Sequence, residues 1–214
     1  PPRLRDRLLQ AALKLAATAR FGNIGTFEFL IDAGATGGEV EFAFIEANPR
    51  LQVEHTVTEE VTGVDLVRTQ LELAGGRTLD DLGLLQANIA APRGMAMQLR
   101  INAESMGADG GARPAGGTLS AFELPLGPGI RIDTAGYVGY RSNPNFDSLL
   151  AKLIVLAPSG KFADVAAKAY RALCECRIAG VPTNIPFLQN LLRHADFLAG
   201  KGHTRFVEAH AVEL

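Results

Sequence analysis

The run EFAFIEANPRLQVEHTVTEE, Glu41 to Glu60, opens with apolar residues fit for a β-strand and closes where a helix can begin. Between those ends Glu46, Asn48, Arg50, Gln52 and Glu54 stand two apart. Extended backbone turns every second side chain to the same side, so these five are expected to share one face. Pro49 cannot donate to a ladder, which predicts a bend there. Two carboxylates, an amide and a guanidinium are poor core material, because each needs a partner if buried. They suit a metal ion and an anion held side by side; the plainer alternative is a solvent-facing strand edge.

Upstream, residues 4 to 20 read as a helix stopped by Gly22, with Leu8, Leu9, Ala12, Leu15 and Ala16 as its apolar stripe. GTFEFLID alternates as a strand, AGATGG from Ala33 to Gly38 is a turn, and EVEFAFIEAN is the returning strand of a hairpin. A loop centred near Gly37 places Glu28 opposite Glu46, and Leu30 opposite Phe44. Like charges directly opposite destabilise a sheet. A divalent cation turns that repulsion into a ligand set, and hard carboxylate oxygens favour Mg²⁺ or Mn²⁺ over zinc. The competing reading is a shifted register, or one Glu facing solvent.

Downstream, Glu59 to Ala74 carries a helical pattern, with Thr58 as a candidate cap and Gly75 and Gly76 as its end. Thr78 to Leu85 reads as a short helical turn. A boundary near 86–94 divides the chain into domains 1–85 and 94–210. The second opens with a strand in GMAMQLRINAE that puts Arg100 on a polar face. An exposed loop from Ser105 to Gly117 follows, then short strands at 118–123, 130–134 and 137–140. Leu149 to Leu156 reads as a central strand and Lys161 to Glu175 as a helix. A second helix starts near Pro186, with Thr183 or Asn184 as its cap. His203 to His210 reads as a short final helix; its histidines are isolated in sequence, so no metal ligation is expected there.

A net charge of −2, from 21 basic and 23 acidic residues, makes no general case for nucleic-acid or anionic-membrane binding. No apolar run reaches the length of a membrane span. Cys174 and Cys176 stand two apart in a helical pattern with no second pair, which suggests neither a disulfide framework nor a zinc site. The amino terminus lacks both a signal-peptide pattern and an initiator Met, so a cytoplasmic piece of a longer protein is expected.

Three ordered motifs take the reading further. FIEANPRLQVEHTVTEEVTGVDLV (Phe44 to Val67) resembles the signature of the biotin carboxylase component of biotin-dependent carboxylases, enzymes with an ATP-grasp fold. GTFEFL (Gly25 to Leu30) and QLRINAE (Gln98 to Glu104) match in the same order. The likeness continues through YRSNPNFDSLLAKLIV and RIAGVPTNIPFLQNLLRH. It implies an α+β fold: the last part of an ATP-grasp domain, then the biotin carboxylase C-terminal domain, a mixed antiparallel sheet with helices. It implies ATP-dependent carboxylation of carrier-bound biotin with bicarbonate through carboxyphosphate, a ligase reaction. The cofactors it implies are ATP, Mg²⁺ or Mn²⁺, and biotin on a separate carrier domain.

By that resemblance Glu28, Glu46 and Asn48 hold the metal bridging the ATP phosphates. Arg50, Gln52 and the backbone at Val53 form the bicarbonate pocket, and Glu54 is the general base. Arg100 stabilises the biotin enolate, and Ile178 closes the adenine pocket. His55 reads as structural, because neighbours in an extended chain point apart. Partners implied are a biotin carboxyl carrier domain, a carboxyltransferase and a second copy of the enzyme, with no nucleic acid or membrane. The amino-terminal domain and glycine-rich lid of such enzymes have no counterpart here, so the 214 residues are not expected to catalyse alone. The alternative for this piece is a folded dimerisation or scaffolding module. The final carboxyl acceptor (pyruvate, an acyl-CoA or urea) stays open.

Overall fold

The computed structural model describes residues 2–32, 40–107 and 110–214. They fall into two compact units, Pro1–His55 with Val64–Ala90 and Thr56–Gly63 with Ala91–Leu214. The turn expected at 33–38 lies outside the described residues.

In the first unit, helix α1 (Pro2–Thr18) half-buries Leu8, Leu9, Ala12, Leu15 and Ala16 and leaves Arg5, Asp6 and Lys14 exposed. It ends before Gly22. Phe21 N donates to Ala16 O at 2.8 Å and Arg20 N to Ala17 O at 3.1 Å, with Arg20 at φ 50°. These are the paired bonds of a Schellman ending, and capping the last carbonyls outweighs the strain of a left-handed arginine. Strands β1 (Thr26–Ile31) and β2 (Phe42–Asn48) pair antiparallel. Arg7 ties α1 to this hairpin, donating to Val40 O at 2.9 Å and lying 5.1 Å over the Phe42 ring.

The hairpin register places Thr26 opposite Asn48, Phe27 opposite Ala47 and Glu28 opposite Glu46, as the turn position predicts. It then slips by one residue: Phe29 faces Phe44, and Leu30 faces Ala43 instead of Phe44. Ile45 is the extra residue of a β-bulge. The slip sets the Phe29 ring edge-on to both Phe42 (5.6 Å) and Phe44 (5.8 Å).

The pattern predicts one helix over 59–74; the chain forms two, α2 (His55–Thr62) and α3 (Leu66–Ala74). Gly63, at φ +76°, breaks the run, and Asp65 caps α3 by accepting from Arg68 N at 2.8 Å. Thr58 is an interior residue of α2, so it caps nothing. Thr78 closes a helical turn with Asp81, whose carboxylate accepts from Thr78 N at 2.8 Å.

The second unit contains β3 (Met95–Asn102), β4 (Glu104–Met106), β5 (Ala112–Pro114), β6 (Gly117–Thr118), β7 (Ala121–Glu123), β8 (Ile130–Thr134), β9 (Arg141–Ser142) and β10 (Leu149–Ala157). Then come α4 (Phe162–Glu175), β11 (Arg177–Ala179), α5 (Ile185–Arg193), α6 (Ala195–Leu198) and α7 (Phe206–Ala209). β10 is the middle strand of the antiparallel sheet β3-β10-β8, which explains its near-continuous apolar sequence. Leu99, Ile101, Leu153 and Val155 on one face of the sheet pack with Val165, Ala169, Leu173, Leu188 and Leu192 of α4 and α5. Among the described residues, every fully buried apolar side chain belongs to this unit.

Three expectations need correction here. The loop at 105–117 contains the β4–β5 pair; the strand at 118–123 divides between β6, which pairs with β9, and β7, which pairs with β11. Residues 137–140 form a turn, closed by Tyr140 N donating to Tyr137 O at 2.9 Å. Such short strands have too few residues for periodicity to separate them from turns. The backbone is crowded where the stretch 118–123 divides. Gly180, at φ +97°, presses against Thr118 O, and an added Cβ would also lie 2.8 Å from Ser120 N. Gly180→Ala is expected to destabilise the chain by more than about 2 kcal/mol in urea unfolding, since both the dihedral and the space exclude a side chain.

Candidate functional site

Glu28 and Glu46 face each other across the hairpin, and one side chain joins them. Asn48 Nδ2 donates to Glu28 Oε1 at 3.0 Å and to Glu46 Oε1 at 3.0 Å. Asn48 lies two residues beyond Glu46 on β2, so both project from the same side. The bulge falls one residue past Glu46 and leaves this end of the ladder in register. An amide N–H is a weak answer to two facing carboxylates, and a divalent cation is a stronger one. Rotating the amide would turn its oxygen inward and complete a set of three hard oxygens, the donors that Mg²⁺ selects. The donor set therefore fits such an ion.

The strand ends at Asn48, and the shared face predicted from Glu46 through Glu54 ends with it. Arg50 N donates to Asn48 O at 2.9 Å and Val53–Glu54 is a turn, so Arg50, Gln52 and Glu54 are placed by a loop. Arg50 and Glu54 are exposed, while Gln52 and Val53 are half-buried. Arg50 Nη1 lies 3.3 Å from Leu51 O. His55 opens α2 and closes the loop: its N donates to Gln52 O at 3.3 Å, and its Nδ1 lies 2.7 Å from the same oxygen. A hydrogen-bonded structural histidine is thus observed.

In the second unit Arg100 is exposed on β3, opposite Lys152 of β10. On the same sheet face, Lys152 Nζ lies 3.2 Å from Asp133 and Arg131 Nε 2.9 Å from Asp133; Arg131 Nη1 reaches Glu59 of α2 at 2.7 Å. Thr56 of α2, wholly buried, donates to Gln98 Oε1 at 2.5 Å. The hydrogen bonds that Arg131 donates to Asp133, with the one to Glu59 adding to them, raise the Arg131 pKa despite burial. Burial pushes Asp133 up, but bonds from Arg131 and Lys152 outweigh it and hold the carboxyl below its usual range. This network fixes α2 on the sheet that carries Arg100. Sequence reasoning missed it: Arg131, Asp133 and Glu59 are ordinary surface types until the fold places them together.

Asn184, one of the two expected caps, holds the N-cap position of α5 but makes no side-chain cap. Its Oδ1 accepts from Asn102 N at 2.9 Å and its Nδ2 donates to Arg100 O at 3.0 Å, completing the backbone bonds of β3 as a neighbouring strand would. Ile178, on β11 opposite Phe122, packs half-buried against the unit's two apolar clusters. The structure thus brings Glu28, Glu46 and Asn48 together, places Arg50 through Glu54 along one loop, and sets Arg100 and Ile178 on different sheets of the second unit. Both cysteines are free, and burial lifts the Cys176 thiol to about 11.

Residues 98–209, just over half the chain, match the biotin carboxylase C-terminal domain. The chain belongs to the biotin carboxylase family. Its residues 1–82 match the ATP-binding domain of the carbamoyl-phosphate synthase L chain. Mitochondrial pyruvate carboxylase of Mus musculus is 45% identical over 208 residues, which are 97% of this chain and 17% of that protein. A solved single-chain, multi-domain long-chain acyl-CoA carboxylase superposes with TM-score 0.90 at 43% identity, covering 99% of this chain and 22% of that one. The biotin carboxylase domain of 2-oxoglutarate carboxylase from Hydrogenobacter thermophilus, solved with MgADP and bicarbonate, gives 0.88 at 38% identity, over 100% of this chain and 44% of that one. The chain spans about a sixth of the length of the curated relatives it matches. Among the described residues, no helix is long and apolar enough to cross a membrane.

The polar network of this biotin carboxylase unit generates two predictions. Arg131→Met removes the 2.7 Å ion pair of the buried Glu59 and should cost about 2–3 kcal/mol in urea unfolding, with the double variant Arg131→Met/Glu59→Met recovering most of it. Asp133 contributes stability fully above the ordinary value of 3.8, and the contribution fades as pH falls through its lowered native value. Asp133→Asn is therefore expected to be less stable than the unaltered chain at pH 7, with the gap closing below pH 3.8 in pH-resolved thermal unfolding.

Proposed function

We propose that this chain forms part of a larger carboxylase that carboxylates carrier-bound biotin with bicarbonate at the expense of ATP. The observation that supports it most is the convergence of Glu28 and Glu46 on one amide nitrogen. The family matches support the domain limits proposed here, 1–85 for the C-terminal part of the ATP-grasp domain and 94–210 for the C-terminal domain. A carrier domain, a carboxyltransferase and a second copy of the enzyme are the partners we assign. Free thiols accord with the reducing compartment, the cytoplasm, in which we place it.

Glu28, Glu46 and Asn48 would hold Mg²⁺ or Mn²⁺. The ion supplies charge neutralisation at the transferring phosphoryl oxygens. Bicarbonate is an anion that must approach another anion, so Arg50, with Gln52 and the Val53 backbone, binds and orients it through charge-assisted bonds of about 1.5–3 kcal/mol each. Glu54 takes the bicarbonate proton as its oxygen attacks the γ-phosphorus and ADP leaves, which yields carboxyphosphate. Carbon dioxide and phosphate follow, and phosphate removes the ureido N–H proton of biotin. Arg100 stands as the fixed cation where charge then grows on the ureido oxygen. Ile178 lines the adenine side.

The decisive measurement is bicarbonate-dependent ATP hydrolysis by the full-length protein, with and without free biotin. We expect stimulation by biotin; its absence overturns the proposal. In the same assay Glu54→Gln should lower turnover by about 100-fold or more. Arg100→Ala should abolish biotin carboxylation by a similar factor while ATP binding persists. Glu46→Gln should raise the Mg²⁺ needed for half-maximal rate about 10-fold.

A further inference from the structure

His210, isolated in the sequence of the tail, meets His194 in space. His194 sits at the junction of α5 and α6, and His210 ends α7. Their rings lie 4.4 Å apart, with Phe206, buried, 5.2 Å from the first and 4.5 Å from the second. Glu213, in the turn that follows, puts Oε2 2.9 Å from His194 Nε2 and 3.6 Å from His210 Nδ1. One ligand atom from each of the three residues lies within 4.8 Å of the others.

Two features separate this cluster from an ordinary surface ion pair. The imidazoles are mostly buried, at 13% and 23% side-chain exposure, and the Phe206 ring holds them, so little ordering entropy remains to be lost on binding. The second feature is an orphan: His210 Nδ1 is buried without a hydrogen-bond partner, and the nearest carboxylate oxygen is too far to accept from it. Buried imidazole nitrogens normally find partners. A cation between the three atoms would bind that nitrogen and the carboxylate together.

We propose that His194, His210 and Glu213 form a site for a borderline divalent metal of the Zn²⁺ class, with a fourth position open to water. Two imidazoles and one carboxylate suit zinc; they do not suit Mg²⁺, which takes oxygen ligands. Bound there, the ion clamps the turn after α7 to the end of α5. The site is independent of the carboxylates on the hairpin, which belong to the other unit.

The test is titration of the chelator-treated 214-residue chain with CoCl₂, followed by visible absorption, and then displacement by ZnCl₂. We expect one equivalent of Co²⁺ in a four-coordinate spectrum, removed by Zn²⁺, and a rise in Tm with Zn²⁺. Glu213→Gln, at an exposed position, and His210→Ala should weaken binding by more than about 100-fold. His203→Ala, outside the cluster, should bind as the unaltered chain does. A six-coordinate spectrum, an unchanged Tm, or Glu213→Gln binding with unaltered affinity would each overturn the site. Should His210→Ala unfold, X-ray absorption at the zinc edge of the unaltered chain reads the ligands directly. Two nitrogens and a carboxylate oxygen at about 2.0–2.2 Å support the site, and an all-oxygen shell refutes it.

Discussion

Two negative side chains forced into opposition govern the first unit. Glu28 and Glu46 are partners in an antiparallel ladder, where neighbouring Cβ atoms approach to about 5 Å, and a pair of carboxylates there repels. The hairpin keeps them together and spends the amide of Asn48 on both. That amide relieves the repulsion in part. The bulge at Ile45 belongs to the same solution. It re-seats the phenylalanines beyond the pair without disturbing the ladder that aligns the carboxylates.

The second unit is organised differently. Its sheet has one apolar face packed by α4 and α5 and one polar face on which charges are paired in series. Lys152, Asp133, Arg131 and Glu59 alternate in sign, so each buried or half-buried charge has an opposite neighbour, the condition under which such groups are tolerated. Helix α2 is held there by an ion pair and by the Thr56 hydroxyl, and its register on the sheet follows from those directional bonds. Apolar contact alone would let the helix slide. Asn184 performs a comparable service for β3, supplying bonds that a further strand would otherwise make.

The units also differ in how their cores are made. Each fully buried apolar side chain among the described residues lies in the second. The first leaves a groove of about 450 Å³ between Leu4, Leu8, Leu9, Ala12, Phe27 and Phe29. Family membership rests on the second unit, whose sheet, helices and sequence motifs agree with one another.

What the residues alone determined was local. Alternation in GTFEFL and EFAFIEAN, with a glycine-rich stretch between them, was enough to oppose Glu28 and Glu46, because hairpin pairing follows from the length of chain between the strands. The central strand at 149–157 and the helices near 162–175 and 185–193 were legible from uninterrupted apolar spacing. Tertiary structure decided the rest, wherever a residue's partner is distant in sequence or one residue alters the path. Gly63 split a helix that periodicity joins, Ile45 shifted a register that counting predicts, and the Asn184 side chain serves a strand instead of capping its own helix. Arg131 met Glu59 across 72 residues, and His194 and His210 became neighbours across 16. Period and propensity act over a few residues, whereas these encounters depend on how whole elements pack.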